Sequence, residues 1–158
     1  MAIAASLRHY LNSQQVEFHL LKHRPTPNLQ DTARDARLPP ATVARALLLR
    51  DAQQHYFVAL IPSNSQLDLN AASACAGAQL EICPTPQAQP LFGDCHPGIT
   101  PPFGAPYQLT TLVDHALLQP PTLYLEDGDP TELIRLEQSA FQRLIGESPV
   151  AKLSRASH

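Results

Sequence analysis

At 158 residues the chain suits one domain with a sizeable core. Apolar residues make up 44% of it, which excludes a disordered chain, and a net charge of −3 argues against a general nucleic-acid binder. No apolar run approaches the roughly 18 residues of a membrane span.

Ile3, Leu7, Tyr10 and Leu11 recur at helical spacing, so the chain opens with an amphipathic helix. Residues 16–21 alternate as a strand does, and residues 22–27 form a loop because Pro25 and Pro27 block a helix. Asn28 and Asp31 have the spacing of a capping box, which starts a short helix running to Arg37, where Pro39 and Pro40 stop the chain. Residues 43–49 and 56–61 read as the two strands of an antiparallel hairpin. A helix is expected over 67–76, ending at Gly77, then a short strand over 80–83 and an irregular helix over 84–92. Strands are expected over 107–113, 122–126 and 133–136, and a last helix over 138–145. The polar stretch 147–158 reads as a frayed tail, which leaves residues 1–146 as one domain. Strands in hairpins with helices interspersed point to an α+β fold. No Gly-rich phosphate loop is present.

Charge is unevenly spread. Residues 1–50 carry seven Lys and Arg against three acids, while residues 51–158 carry four against eleven. The basic third either meets a phosphate backbone locally or only solvates helix faces. Cys75, Cys83 and Cys95 form no paired framework, and Arg8 and His9 interrupt the short apolar start, so a reduced cytoplasmic protein without a signal peptide is expected. Asp94, Cys95 and His96 lack a second nearby Cys or His pair, so their spacing is wrong for a closed zinc site and no metal is expected.

Three features could carry chemistry. The segment "GITPPFG", residues 98–104, packs two glycines and two prolines into seven positions, with Pro97 before it and Pro106 after. Gly98 and Gly104 can adopt positive φ, and backbone donors remain on Gly98, Ile99 and Thr100 but not on Pro101 and Pro102. Such a loop either holds a carbonyl oxygen or a developing oxyanion, or is a stiff connection between strands. Arg45 shares a strand face with Val43, Leu47 and Leu49, so it needs a structural carboxylate or faces a cleft and binds a ligand. His23, between Lys22 and Arg24, is an idle surface histidine, a general base or a hydrogen-bond donor.

The segments "VARALLLRD", "YFVALIPSNSQLDL", "FGDCHPGITPPFGAPYQLTTLVD", "LYLEDGD" and "LIRLEQSAFQRLI", in this order, resemble the YbaK-type aminoacyl-tRNA deacylases, whose fold is also the editing insertion of bacterial prolyl-tRNA synthetases. The resemblance spans residues 16–146, and its most specific part is a G-x-x-x-P element, here Gly98 to Pro102. It implies a curled, mixed, mainly antiparallel sheet with helices outside, and hydrolysis of the ester joining a wrong amino acid to tRNA, without metal or other cofactor. It also implies that the proline loop shapes the aminoacyl pocket. The family's functional lysine falls on Arg45, which keeps the charge but moves no proton, and a histidine of several relatives falls on Pro130.

On this reading Arg45, Gly98 and Pro102 carry the catalysis, and His23, Ile99, Thr100, Pro101 and Asp129 contact the substrate. Lys22, Arg24, Arg34 and Arg37 meet the acceptor stem. The substrate would be tRNA for proline carrying a small wrong amino acid, with a synthetase as a further partner. The alternative is a binding module that uses the same pocket for an aminoacyl group, an amino acid, a nucleotide or a protein.

Overall fold

In the computed structural model, which describes residues 3–84, 89–96 and 98–156, helix α1 (Ala5–Ser13) buries Leu7 and Leu11 completely. Fully burying a leucine is worth about 1.5–3 kcal/mol, so two residues fix which face of α1 turns inward. Strand β1 (His19–Lys22) follows, later and shorter than the alternation suggested. Helix α2 (Leu29–Asp35) starts as its capping box requires, with Asn28 Oδ1 accepting the Asp31 N–H at 2.8 Å. It stops two residues short of Arg37, which itself adopts the left-handed conformation (φ 58°).

The centre of the fold is β2 (Val43–Arg50), which pairs antiparallel with β3 (Tyr56–Pro62) as the hairpin pattern requires. Both are covered on two faces. Ala44, Leu48, Val58 and Leu60 enter one apolar cluster, and Leu49, Ala59 and Ile61 a second. That explains why these strands read as continuous apolar runs. After the short β4 (Ser65–Leu67), helix α3 (Leu69–Ala76) is capped by Asp68 and ends on Gly77 at φ 73°. The second cluster lies under α3 through Ala72.

Strand β5 (Glu81–Ile82) pairs with β2, and residues 85–88 of the expected irregular helix lie outside the described residues. The strand expected from residue 107 begins only at Thr110, as β6 (Thr110–Asp114). Residues Ala105–Tyr107 form a 3-10 turn instead, because the Gly104 carbonyl accepts both the Tyr107 and Leu109 N–H groups. Strand β7 (Thr122–Glu126), β8 (Glu132–Glu137) and helix α4 (Gln138–Ile145) fall where the sequence places them. Phe141 and Leu144 of α4 join Leu7 and Leu11 in the first cluster.

The frayed tail requires correction. Val150–Ala151 forms β9, parallel to β6, and Ser154–Ala156 forms β10, antiparallel to β4, while Leu153 between them is fully buried in the second cluster. Two short strands around one buried leucine leave too little periodicity for a pattern reading to register.

The main sheet runs β1-β8-β7-β2-β3-β6-β9 with β5 added beside β2. The β7–β2, β3–β6 and β6–β9 pairs are parallel and the others antiparallel. The fold is therefore α+β, with a mixed, mainly antiparallel sheet and, among the described residues, four α-helices. Among the described residues, no helix is long and apolar enough to cross a membrane.

Candidate functional site

The parallel pairing of β2 and β7 sets the site. Ala44 lies opposite Leu125, and both turn into the first cluster. Arg45 and Glu126, one residue further along each strand, therefore turn together to the other face. There they line a cleft with two compartments. The outer one, of about 620 Å³, is walled by polar side chains including His23, Asn28, Ser63 and Gln66. The inner one, of about 270 Å³, is walled mainly by Leu47, Ile82, Cys83 and Phe92, with Thr100. Arg45, His96, Gly98, Ile99 and Glu126 border both compartments and so form the junction.

The glycine-proline loop reaches this junction with one end and the core with the other. Gly98 sits at φ 90°, the left-handed region where a side chain is strained. Phe103 is buried between the rings of Tyr10 and Phe141, at 6.0 and 6.1 Å between centroids. Gly104 has an ordinary negative φ, and its need for glycine is contact: a Cβ there would stand 2.5 Å from the Leu109 carbonyl oxygen. Pro101 and Pro102 are buried and line neither compartment, so they brace the loop from behind. Of the three backbone donors expected on this loop, that of Ile99 is spent on the His96 carbonyl at 3.1 Å. Pro97 lies outside the described residues.

The electrostatics centre on Glu126. Burial pushes its carboxyl up to about 7, with the Arg45 guanidinium pulling the other way. Among the described residues, neither side chain has a hydrogen-bond partner. His23 lies across the outer compartment with Nδ1 2.7 Å from the Arg24 carbonyl. A carbonyl only accepts, so Nδ1 carries the hydrogen and the neutral ring keeps its lone pair on Nε2.

The other sequence candidates scatter. Asp129 does not line the cleft: it is buried and accepts from the Thr131 N–H and hydroxyl at 2.8 and 2.7 Å. Burial would raise its carboxyl, but those bonds hold it below the ordinary value. Its neighbour Pro130 lines the outer compartment instead. Arg24 is ion-paired with Asp35, and Arg34 with Asp31 at 3.4 Å. Lys22 and Arg37 are exposed.

Asp94 and Cys95 turn away from the cleft. Asp94 accepts from the Ser6 N–H at 2.8 Å and the Tyr107 hydroxyl at 2.7 Å, and burial pushes the Cys95 thiol up to about 11, which leaves it a poor nucleophile. Among the described residues, no group of three or more His, Cys, Asp or Glu is placed to hold a metal ion. Two junction residues escaped the sequence reading. In the sequence His96 stands out only as a metal-ligand candidate beside Asp94 and Cys95. Glu126 was passed over, although the alternation of Leu123 and Leu125 already turns it away from the core.

Comparison with known proteins bears on this geometry. Residues 23–144 match the family described as the aminoacyl-tRNA editing domain. The crystal structure of a hypothetical protein superimposes with a TM-score of 0.83 at 20% identity, over 95% of this chain and 99% of the other. A candidate trans-editing enzyme for prolyl-tRNA synthetase gives 0.79 at 20% identity, over 97% of both chains. A candidate signal-transduction protein from Marinobacter aquaeolei VT8 gives 0.76 at 15% identity, over 97% of this chain and 31% of its own. No curated protein matches the chain significantly.

Proposed function

This chain belongs to the aminoacyl-tRNA editing domain family, and we propose that it hydrolyses the ester bond of a mischarged aminoacyl-tRNA. The observation that carries the proposal is the junction, where a guanidinium, a glycine turn and a histidine meet between an outer compartment walled by polar side chains and an inner one that adds Leu47, Ile82 and Phe92 to its walls. An aminoacylated 3′ end has the same division. Its ribose and phosphates are polar, its amino-acid side chain faces the other way, and the ester lies between.

The terminal nucleotide occupies the outer compartment, with Arg45 on its phosphate or ribose oxygens. The amino-acid side chain enters the inner compartment. The backbone at Gly98 to Thr100 faces the acyl carbonyl, where an N–H would stabilise the oxyanion of the tetrahedral intermediate. Water adds to the acyl carbon, the bond from that carbon to the ribose oxygen breaks, and the ribose oxygen takes up a proton. A terminal ribose hydroxyl can relay that proton. Arg45 cannot, because a guanidinium stays protonated, so its part is positioning and charge. Pro101 and Pro102 act from behind by stiffening the loop. Lys22 and Arg37, with Arg24 and Arg34 beside their acids, supply a weak and salt-sensitive contact to the acceptor stem.

The tRNA for proline carrying a small wrong amino acid is the first substrate to try, because the chain resembles a candidate trans-editing enzyme for prolyl-tRNA synthetase. A synthetase is the partner that would hand it over, in the cytoplasm. Arginine at position 45 and proline at position 130, where relatives carry lysine and histidine, favour a second reading, a pocket that binds an aminoacyl end without turning it over. A panel of Ala-, Cys- and Ser-charged tRNA for proline, with the correctly charged tRNA as control, separates the two. Loss of one mischarged species well above its spontaneous rate is expected. Binding without acceleration of any species would leave the second reading.

A further inference from the structure

Resting on the aminoacyl-end reading, we propose that Glu126 binds the substrate's α-ammonium group, so that the cleft takes aminoacyl ends with a free amine and rejects N-acylated ones. Among the described residues lining the two compartments Glu126 is the only carboxylate, and it sits at their junction beside Gly98 and Ile99. In an aminoacyl ester the ammonium is one carbon away from the acyl carbonyl. A carbonyl held against the Gly98 turn therefore brings the ammonium to the junction as well.

Desolvating an unpaired ammonium against Leu47, Ile82 and Phe92 is costly, and a carboxylate at that point removes most of the cost. Arg45 cannot serve, since its charge repels the ammonium. The register places Arg45 and Glu126 side by side, so one site offers a cation to the nucleotide oxygens and an anion to the amine. The free Glu126 carboxyl is partly protonated near neutrality because burial raises it to about 7. An ammonium beside it favours the ionised form. An N-acetyl or peptidyl nitrogen carries no charge, adds bulk at the junction and leaves the carboxylate unpaired.

The test uses two non-hydrolysable amides, 3′-deoxy-3′-(alanylamino)adenosine and its N-acetyl derivative, titrated calorimetrically into wild type and Glu126→Gln at about pH 8. Wild type is expected to bind the free amine at least roughly tenfold more tightly. In Glu126→Gln that preference should shrink at least about fivefold, what remains being the bulk of the acetyl group. Equal binding of both compounds by wild type overturns the inference and leaves the editing reading standing. A preference undiminished in Glu126→Gln also overturns it. Binding of neither compound removes the aminoacyl-end reading and this inference with it. Should Glu126→Gln fail to fold, Glu126→Ser takes its place under the same outcomes.

Discussion

Arg45 and Glu126 occupy adjacent strands in register, and the guanidinium bears on the state of the carboxyl. Burial raises the Glu126 carboxyl and the guanidinium lowers it. Arg45→Ala removes only the lowering influence, so Glu126 should titrate above its wild-type value of about 7, which carboxyl carbon NMR would read directly. An unchanged titration would mean that the two groups do not share a field. The same variant should lower kcat/KM for a hydrolysed aminoacyl-tRNA by about 100-fold, the loss expected when an oriented charge is taken from a reacting site. Arg45→Lys restores the charge without the planar fork, so it should fall between the two. A rate above wild type in Arg45→Lys would identify Arg45 as a defect in an otherwise competent site.

At the scale of elements, the loop from Gly98 to Gly104 joins a cleft to a core, and its two glycines fail differently. Gly104→Ala drives a methyl into the Leu109 carbonyl, which belongs to the backbone and cannot swing aside. It should destabilise the fold by about 1–3 kcal/mol in urea melts. Gly98→Ala meets nothing within 4 Å and suffers only its left-handed φ, a cost of about 1–2 kcal/mol, but it distorts the turn that borders both compartments. Its loss should be larger in activity than in melting.

The sequence singled out this loop because proline and glycine punctuate a chain visibly. It could not separate a glycine needed for φ from one needed for contact, since contact depends on Leu109 folding back. Arg45 was visible for a similar reason, as a charge in an apolar strand. Glu126 was not, because an acid at the end of "LYLE" looks like any solvent-facing strand residue. Only the parallel pairing of β7 with β2, strands some eighty positions apart, gives it a partner.

The whole molecule is closed by parts that a pattern reading treats as loose. Leu153 illustrates this: it fills the second cluster beneath α3, so Leu153→Ala should cost about 2–5 kcal/mol, where a frayed tail would give almost nothing. A second closure lies in the turn between β7 and β8. The Asp127 carbonyl accepts the Ala4 N–H at 2.8 Å, which ties the start of α1 to this turn. Asp127 Oδ2 and Glu132 Oε1 are both buried with no protein donor in reach. Two such carboxyls are satisfied when Asp127 keeps a proton and donates it to Glu132. Burial first, and that bond second, push the Asp127 carboxyl up to about 8 from 3.8. The folded protein then holds a proton that the unfolded chain releases, so stability is greatest below about pH 4 for this group and declines as pH rises through about 8. Asp127→Asn supplies a permanent N–H toward Glu132 and keeps the oxygen that accepts from the Asp129 N–H. Its melting temperature should therefore escape the decline that this group imposes between about pH 4 and 8, and gain on that of wild type across that range. Parallel melting curves for the two proteins across that range would show that no proton is shared there.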